Sequence, residues 1–110
     1  MSRMSREHDD RIDIRGIVFE WYPPKAQSNL EKHRVSFQEA STIFGDKEIL
    51  ELPDREHSEE EFRFIGVGRS DRGRLLFVNF TVRSDRVRII SARQAQSWER
   101  REYETANRHE

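Results

Sequence analysis

The chain has no cysteine. A disulfide scaffold, a thiolate zinc site and a cysteine nucleophile are therefore excluded. No apolar run approaches the roughly 18 residues that a membrane span needs. The N-terminal stretch MSRMSREHDDRIDIRG also lacks the apolar segment of a secretory signal. The expected location is the cytoplasm, with no membrane partner. Apolar residues are scarce, at 34% of the chain, while charged residues make up 37%; a typical globular chain has about 45–50% and 25%. Wholesale disorder does not follow, because the net charge is only −1 and seven Phe and two Trp are present. A length of 110 residues suits one domain. Residues 1–11, polar and dense in charge, read as a flexible N-terminal tail, and residues 12–110 as a single domain.

The near-zero net charge conceals a split. Residues 1–61 hold nine Lys and Arg against fifteen Asp and Glu; residues 62–110 hold eleven against six. The basic residues of the second half are all Arg. A guanidinium grips phosphate bidentately, which an ammonium cannot do. Either a salt-bridged surface or a phosphate-binding face accounts for this composition.

The hydrophobic pattern predicts an α+β domain: a small antiparallel β-sheet with helices on one face, in the order β-α-α-β-β-β-β-α. Residues 12–21 read as a strand with a kink at Gly16. Pro23 and Pro24 open a helix ending near Arg34. Ser36 and Glu39 form a capping box for a second, short helix that stops at Gly45. A short strand at 49–52 and a solvated loop at 54–61 follow. Strands at 61–69, 74–83 and 86–93 are joined by tight hairpins, and residues 94–108 read as the last helix.

The turn residues set a register for the hairpins. Ser70 to Gly73 suits a three-residue hairpin with a bulge, pairing Arg69 with Leu75, Ile65 with Asn79 and Arg63 with Thr81. Ser84-Asp85 as a two-residue loop pairs Arg83 with Arg86, Thr81 with Arg88 and Asn79 with Ile90. One face then carries Phe64, Gly66, Val78, Phe80, Val82, Val87 and Ile89, a core face. The other carries Arg63, Thr81 and Arg88 in a row, with Arg83 and Arg86 beside it. Like charges side by side repel, so something acidic must meet the row. Carboxylates from the acidic half and a phosphate backbone both qualify.

Several segments taken together resemble a known family. FEWYPPKAQSNLEKHRVSFQEASTIF, DREHSEEEFRFIGVGRSDRGRLL and RVRIISARQAQSWERREYE are similar, in order and spacing, to the BrnT-type toxins of bacterial BrnT/BrnA modules. The resemblance runs from about Val18 to Tyr103. It implies a RelE-like fold, an endoribonuclease that cleaves mRNA and arrests growth, and a BrnA-type antitoxin as partner. Operator DNA would be reached only through that antitoxin. This chain departs from the family pattern at four places. Tyr22 stands where Asp is usual, Arg34 where Gly is usual, Phe80 where Tyr is usual and Gln96 where a capping Thr is usual, with Ser97 beside it as a substitute cap.

Cleavage without a metal uses the RNA 2′-hydroxyl as nucleophile, a base for its proton, cations around the phosphorus and an acid for the leaving oxygen. Under this resemblance Arg63, Arg88 and Arg83 are the candidate phosphate clamps. His33 and Lys32, at the end of the first helix, and Glu61, beside the Arg row, are the candidate acid–base groups. Arg69, Thr81, Arg86 and Arg93 would contact RNA. By strand parity Arg93 falls on the core face near a strand end, with an ion pair to Glu20 or Glu99 as its alternative role. The histidines are scattered at 8, 33, 57 and 109, so no metal site and no cofactor are expected. A non-catalytic RNA- or antitoxin-binding module of the same fold is the competing reading.

Overall fold

Arg15 and Gly16 both take left-handed backbone angles, with φ of 54° and 86°. Two successive residues of that kind make the tight turn that matches strand twist, and the Asp13 carboxylate caps it by accepting from the Gly16 N–H at 3.0 Å. The single strand expected over 12–21 is therefore a hairpin of β1 (Asp10–Ile14) and β2 (Ile17–Trp21). The structure, a computed structural model, describes residues 9–57 and 61–108. Most of the expected tail lies outside them, but Asp10 and Arg11 already belong to β1.

The other elements are α1 (Pro23–His33), α2 (Phe37–Ser41), β3 (Leu50–Pro53), β4 (Phe64–Arg69), β5 (Leu75–Arg83), β6 (Arg86–Gln94) and α3 (Ser97–Ala106). A short 3-10 turn, Thr42–Gly45, extends α2, and another spans Arg55–His57. The six strands form one sheet in the order β1-β2-β6-β5-β4-β3. It is α+β as expected, but not wholly antiparallel: β2 runs parallel to β6, with Val18 opposite Arg86 and Glu20 opposite Arg88.

The main core lies on one face of the sheet. Phe19, Trp21, Val78, Ile89 and Ala92 meet Val35, Phe37, Ala40 and Ile43 there, all essentially buried. Asn29 of α1 docks onto β6 by hydrogen bonds in both directions with the Ala92 backbone, at 2.8 and 3.1 Å. Gly68 lets the 3-10 turn that extends α2 approach the sheet: a Cβ there would stand 3.1 Å from that of Ile43. Ser36 caps α2 by accepting from the Glu39 N–H at 3.0 Å. The Glu39 carboxylate does not return the bond. It takes the Arg74 guanidinium and the Ser70 hydroxyl instead, tying α2 to the β4–β5 turn.

The helices do not all lie on that face. Tyr103 of α3 packs with Val67 and Leu75 in a second cluster. Val67 pairs with Phe77 and alternates with Gly66 and Gly68, so this cluster is on the reverse of the sheet. Burial and the Asp46 carboxylate, which accepts the hydroxyl at 2.7 Å, push the Tyr103 phenol up to about 12. Gln96, rather than Ser97, is the N-cap of α3, and the Glu99 carboxylate accepts from its N–H at 2.8 Å. The reverse face is thus covered by α3 at one end and left open at the other.

The hairpin register agrees at Arg69–Leu75, Ile65–Asn79, Thr81–Arg88 and Arg83–Arg86. It breaks between Asn79 and Phe80, where β6 carries an extra residue: Asn79 pairs with Ser91, not Ile90, and Phe80 pairs with Ile89. A bulge of this kind reverses the parity of everything beyond it. β4 begins at Phe64, so Arg63 precedes the strand instead of pairing within it. Val82 is exposed despite its core-face parity, as is Phe62.

Candidate functional site

Arg88 stands mid-strand on the open part of the reverse face, opposite Thr81 on one side and Glu20 on the other. Its side chain is only 17% exposed. Its Nη1 lies 2.6 Å from Asp9 Oδ2 and 3.3 Å from Glu20 Oε2. The bond to Asp9, opposed by burial and aided by Glu20, raises the guanidinium above its ordinary range. Glu20 is buried and serves as a hub: Arg86 Nη1 is 3.2 Å and Arg11 Nε 3.8 Å from its Oε1. Arg86 Nε also lies 3.8 Å from Asp85, so three guanidiniums meet three carboxylates. A groove of about 430 Å³ opens beside them, lined by Asp9, Arg11, Glu20, Arg83, Ser84, Asp85 and Arg86. Arg83 reaches Glu61 at 3.3 Å.

The acidic half of the chain therefore does meet the Arg row, through Asp9, Glu20 and Glu61. The lining of the groove is balanced in charge, with Arg11, Arg83 and Arg86 against Asp9, Glu20 and Asp85.

A second polar group lies on the same face, next to the row. Ser91 donates to the Asn79 side-chain oxygen at 3.1 Å, and Asn79 Nδ2 donates to Asp54 Oδ2 at 2.9 Å. Both Asp54 oxygens lie 3.1–3.2 Å from Nδ1 of His57. Asp54 is buried; His57 is exposed. The loop that carries them is closed at its base. The Asp54 N–H donates to the Arg63 carbonyl at 2.8 Å, and the Thr81 hydroxyl to the Phe62 carbonyl at 2.5 Å.

The residues singled out from the sequence separate into groups. Arg88, Arg86, Arg83 and Glu61 come together, and Arg63 sits at the base of the adjoining loop. Thr81, expected to contact RNA, is buried, and its hydroxyl is used on Phe62. Arg93, expected on the core face, lies on the Arg face because of the bulge. It is paired with Glu99 at 2.7 and 2.8 Å and stacked 4.1 Å from the centre of the Phe77 ring. Arg69 is at the far end of β4, its Nη1 3.2 Å from the Gly73 carbonyl and its guanidinium over the Tyr103 ring. Lys32 and His33 do not join the site, because α1 packs on the opposite face through Asn29 and Ala92. Trp21 is core and Trp98 is exposed.

Sequence reasoning missed Asp9, Asp54 and the chain from His57 to Ser91. Asp9 was hidden in the supposed tail. The D-x-x-H spacing of residues 54–57 was the available signal for the pair, since a 3-10 turn brings residues three apart together. Among the described residues no group of three or more His, Asp or Glu converges as a metal site, and no helix is long and apolar enough to cross a membrane.

This six-stranded α+β architecture is shared with a solved ribonuclease toxin. The crystal structure at 1.1 Å of the Brucella abortus ribonuclease toxin BrnT superposes with a TM-score of 0.55 at 21% identity, covering 70% of this chain and 94% of that one. The family described as the ribonuclease toxin BrnT of type II toxin–antitoxin systems matches residues 21–99, and the chain belongs to it. No curated protein matches the chain. Family membership brings with it an antitoxin as partner.

Proposed function

We propose that the chain is a metal-independent endoribonuclease of the cytoplasm that cleaves mRNA, arrests growth and is neutralised by a BrnA-type antitoxin. The observation that carries this reading is the Arg88–Arg86–Arg11 cluster around buried Glu20, open on a groove. A scissile phosphate entering the groove takes the place of Asp9 on Arg88. Glu20 stays behind and keeps the guanidinium aimed. As the 2′-oxygen attacks, charge builds on the phosphoryl oxygens, and fixed guanidiniums stabilise that charge without reorganising. Arg83 and Arg63 flank the approach.

Two experiments test the reading. Expression of the chain alone should stop growth, and co-expression of its antitoxin should restore it. The purified chain should cut a single-stranded RNA in the presence of EDTA, leaving a 2′,3′-cyclic phosphate. Intact RNA under these conditions would leave only the binding-module reading.

A further inference from the structure

The geometry points to His57 as the group that takes the 2′-hydroxyl proton in this cleavage, with Asp54 and Asn79 as its positioning residues. The inference rests on the ribonuclease reading above and deepens it.

A general base at this site must satisfy three conditions. It must stand on the Arg face, reach solvent and be held in one orientation. Lys32 and His33 fail the first, since α1 is on the opposite face. Glu61 is engaged by Arg83. His57 satisfies all three. Its partner Asp54 is bonded to Asn79, two residues along β5 from Thr81 and about 7 Å away along the strand. Thr81 is directly opposite Arg88, so Asn79, which anchors the relay, stands on the same face as the phosphate clamp, two residues further along the strand. Its side chain is 62% exposed. Its orientation is fixed by a relay that continues inward through Asp54 and Asn79 to Ser91 on the central strand β6. Because a carboxylate can only accept, Nδ1 is the ring nitrogen that carries the hydrogen. Nε2 is then the nitrogen with a lone pair for substrate.

A surface histidine needs no such relay to stay soluble. A buried carboxylate that joins an exposed imidazole to a central-strand amide is a costly arrangement unless the ring must point one way. In the reaction, Nε2 of His57 accepts the 2′-hydroxyl proton as the 2′-oxygen bonds to phosphorus. The bond from phosphorus to the 5′-oxygen breaks, and water protonates the leaving oxygen. The hydroxide so formed takes the proton from His57. The products are a 2′,3′-cyclic phosphate and a 5′-hydroxyl, with the base regenerated.

The test compares full-length wild type with His57→Ala, His57→Gln and Asp54→Asn on one single-stranded RNA. Both His57 variants should lose about 10²–10⁴ in kcat, the range of general acid–base catalysis, with KM little changed. Added imidazole should restore part of the His57→Ala rate. Asp54→Asn should lose less, also in kcat, and imidazole should not help it because its own ring is still present. Wild-type cleavage matched by His57→Ala would overturn the assignment and leave the ribonuclease reading standing. A rise in KM at constant kcat would likewise overturn it, making His57 a binding contact. A wild type that cuts no RNA would overturn both.

Discussion

Glu20 and Arg88 are paired positions on β2 and β6, and the buried carboxylate of one lies 3.3 Å from the guanidinium of the other. The pair is asymmetric. Without Arg88, Glu20 keeps Arg86 and Arg11; without Glu20, Arg88 keeps Asp9 and Arg86 keeps only the exposed Asp85, so the buried ends of the guanidiniums lose their shared partner.

The asymmetry separates activity from stability. Arg88→Ala should lower RNA cleavage by about 10²–10³ while leaving the fold largely intact. Arg88→Lys should recover only part, because one ammonium does not reproduce a bidentate grip. Glu20→Gln should be the more destabilising change, by roughly 3 kcal/mol, since it strips the partner from buried charges. Cleavage rates and urea midpoints on the same three proteins check this; equal midpoints for Arg88→Ala and Glu20→Gln would contradict the hub.

Asp9 occupies the position on Arg88 that a phosphate is proposed to take. Asp9→Asn should therefore tighten binding of a short RNA, by up to roughly fivefold if the displaced pair is worth about 1 kcal/mol. Fluorescence anisotropy at fixed salt reads this directly. Weaker binding by the variant would mean that Asp9 holds Arg88 in place instead of competing for it.

Acid should weaken the tie between α2 and the β4–β5 turn. The hydrogen bond from Arg74, opposed by burial and aided by Ser70, holds the Glu39 carboxyl below its ordinary value of 4.5. A lowered carboxyl stabilises the fold fully above its unfolded value and loses that contribution as pH falls through the folded one. Urea midpoints of wild type should thus drop from pH 5 downwards, and Glu39→Gln should flatten that part of the profile. A parallel drop in the variant would assign the acid sensitivity to other carboxylates.

The C-terminal end of α1 can be improved. Tyr22 is its N-cap yet offers no side-chain bond, and Arg34 at its C-cap sits at φ 60°, ψ 31°. Tyr22→Asp should change stability little, because Pro23 and Pro24 have no N–H to cap and the Lys25 and Ala26 N–H groups already donate to the Tyr22 carbonyl at 3.0 and 3.1 Å. Arg34→Gly relieves a left-handed backbone and should add about 0.5–1 kcal/mol. Residue 34 uses only main-chain atoms in its bonds, its N–H donating to the Leu30 carbonyl and its carbonyl accepting from the Arg74 guanidinium, so both survive. Thermal melts of the two single variants check this contrast.

The elements of the fold were legible because their signals are local. The Ser36 cap, the Pro23-Pro24 start and the Ser84-Asp85 turn each act within a few residues. Four features were not legible. Arg15 in a left-handed turn is not a residue that turn chemistry favours, so one strand was expected where there are two. The β6 bulge at Ile90 leaves no compositional mark, and it moved Arg93 to the other face. The parallel β2–β6 pairing is set by tertiary packing across the whole chain. The placement of α3 follows from Tyr103 finding Asp46 and Val67, contacts that no spacing announces. The Arg row itself was legible because the register of the second hairpin holds from its turn as far as Phe80, which covers Arg83, Arg86 and Arg88.

The parallel pairing of β2 with β6 also sets a schedule. An antiparallel hairpin can close as soon as its second strand leaves the ribosome, but Glu20 must wait for Arg88. Contacts so distant in sequence form late, after most of the loop entropy between them has been lost. The Glu20–Arg88 pair, and with it the proposed phosphate site, is therefore incomplete until nearly all of the chain has been synthesised.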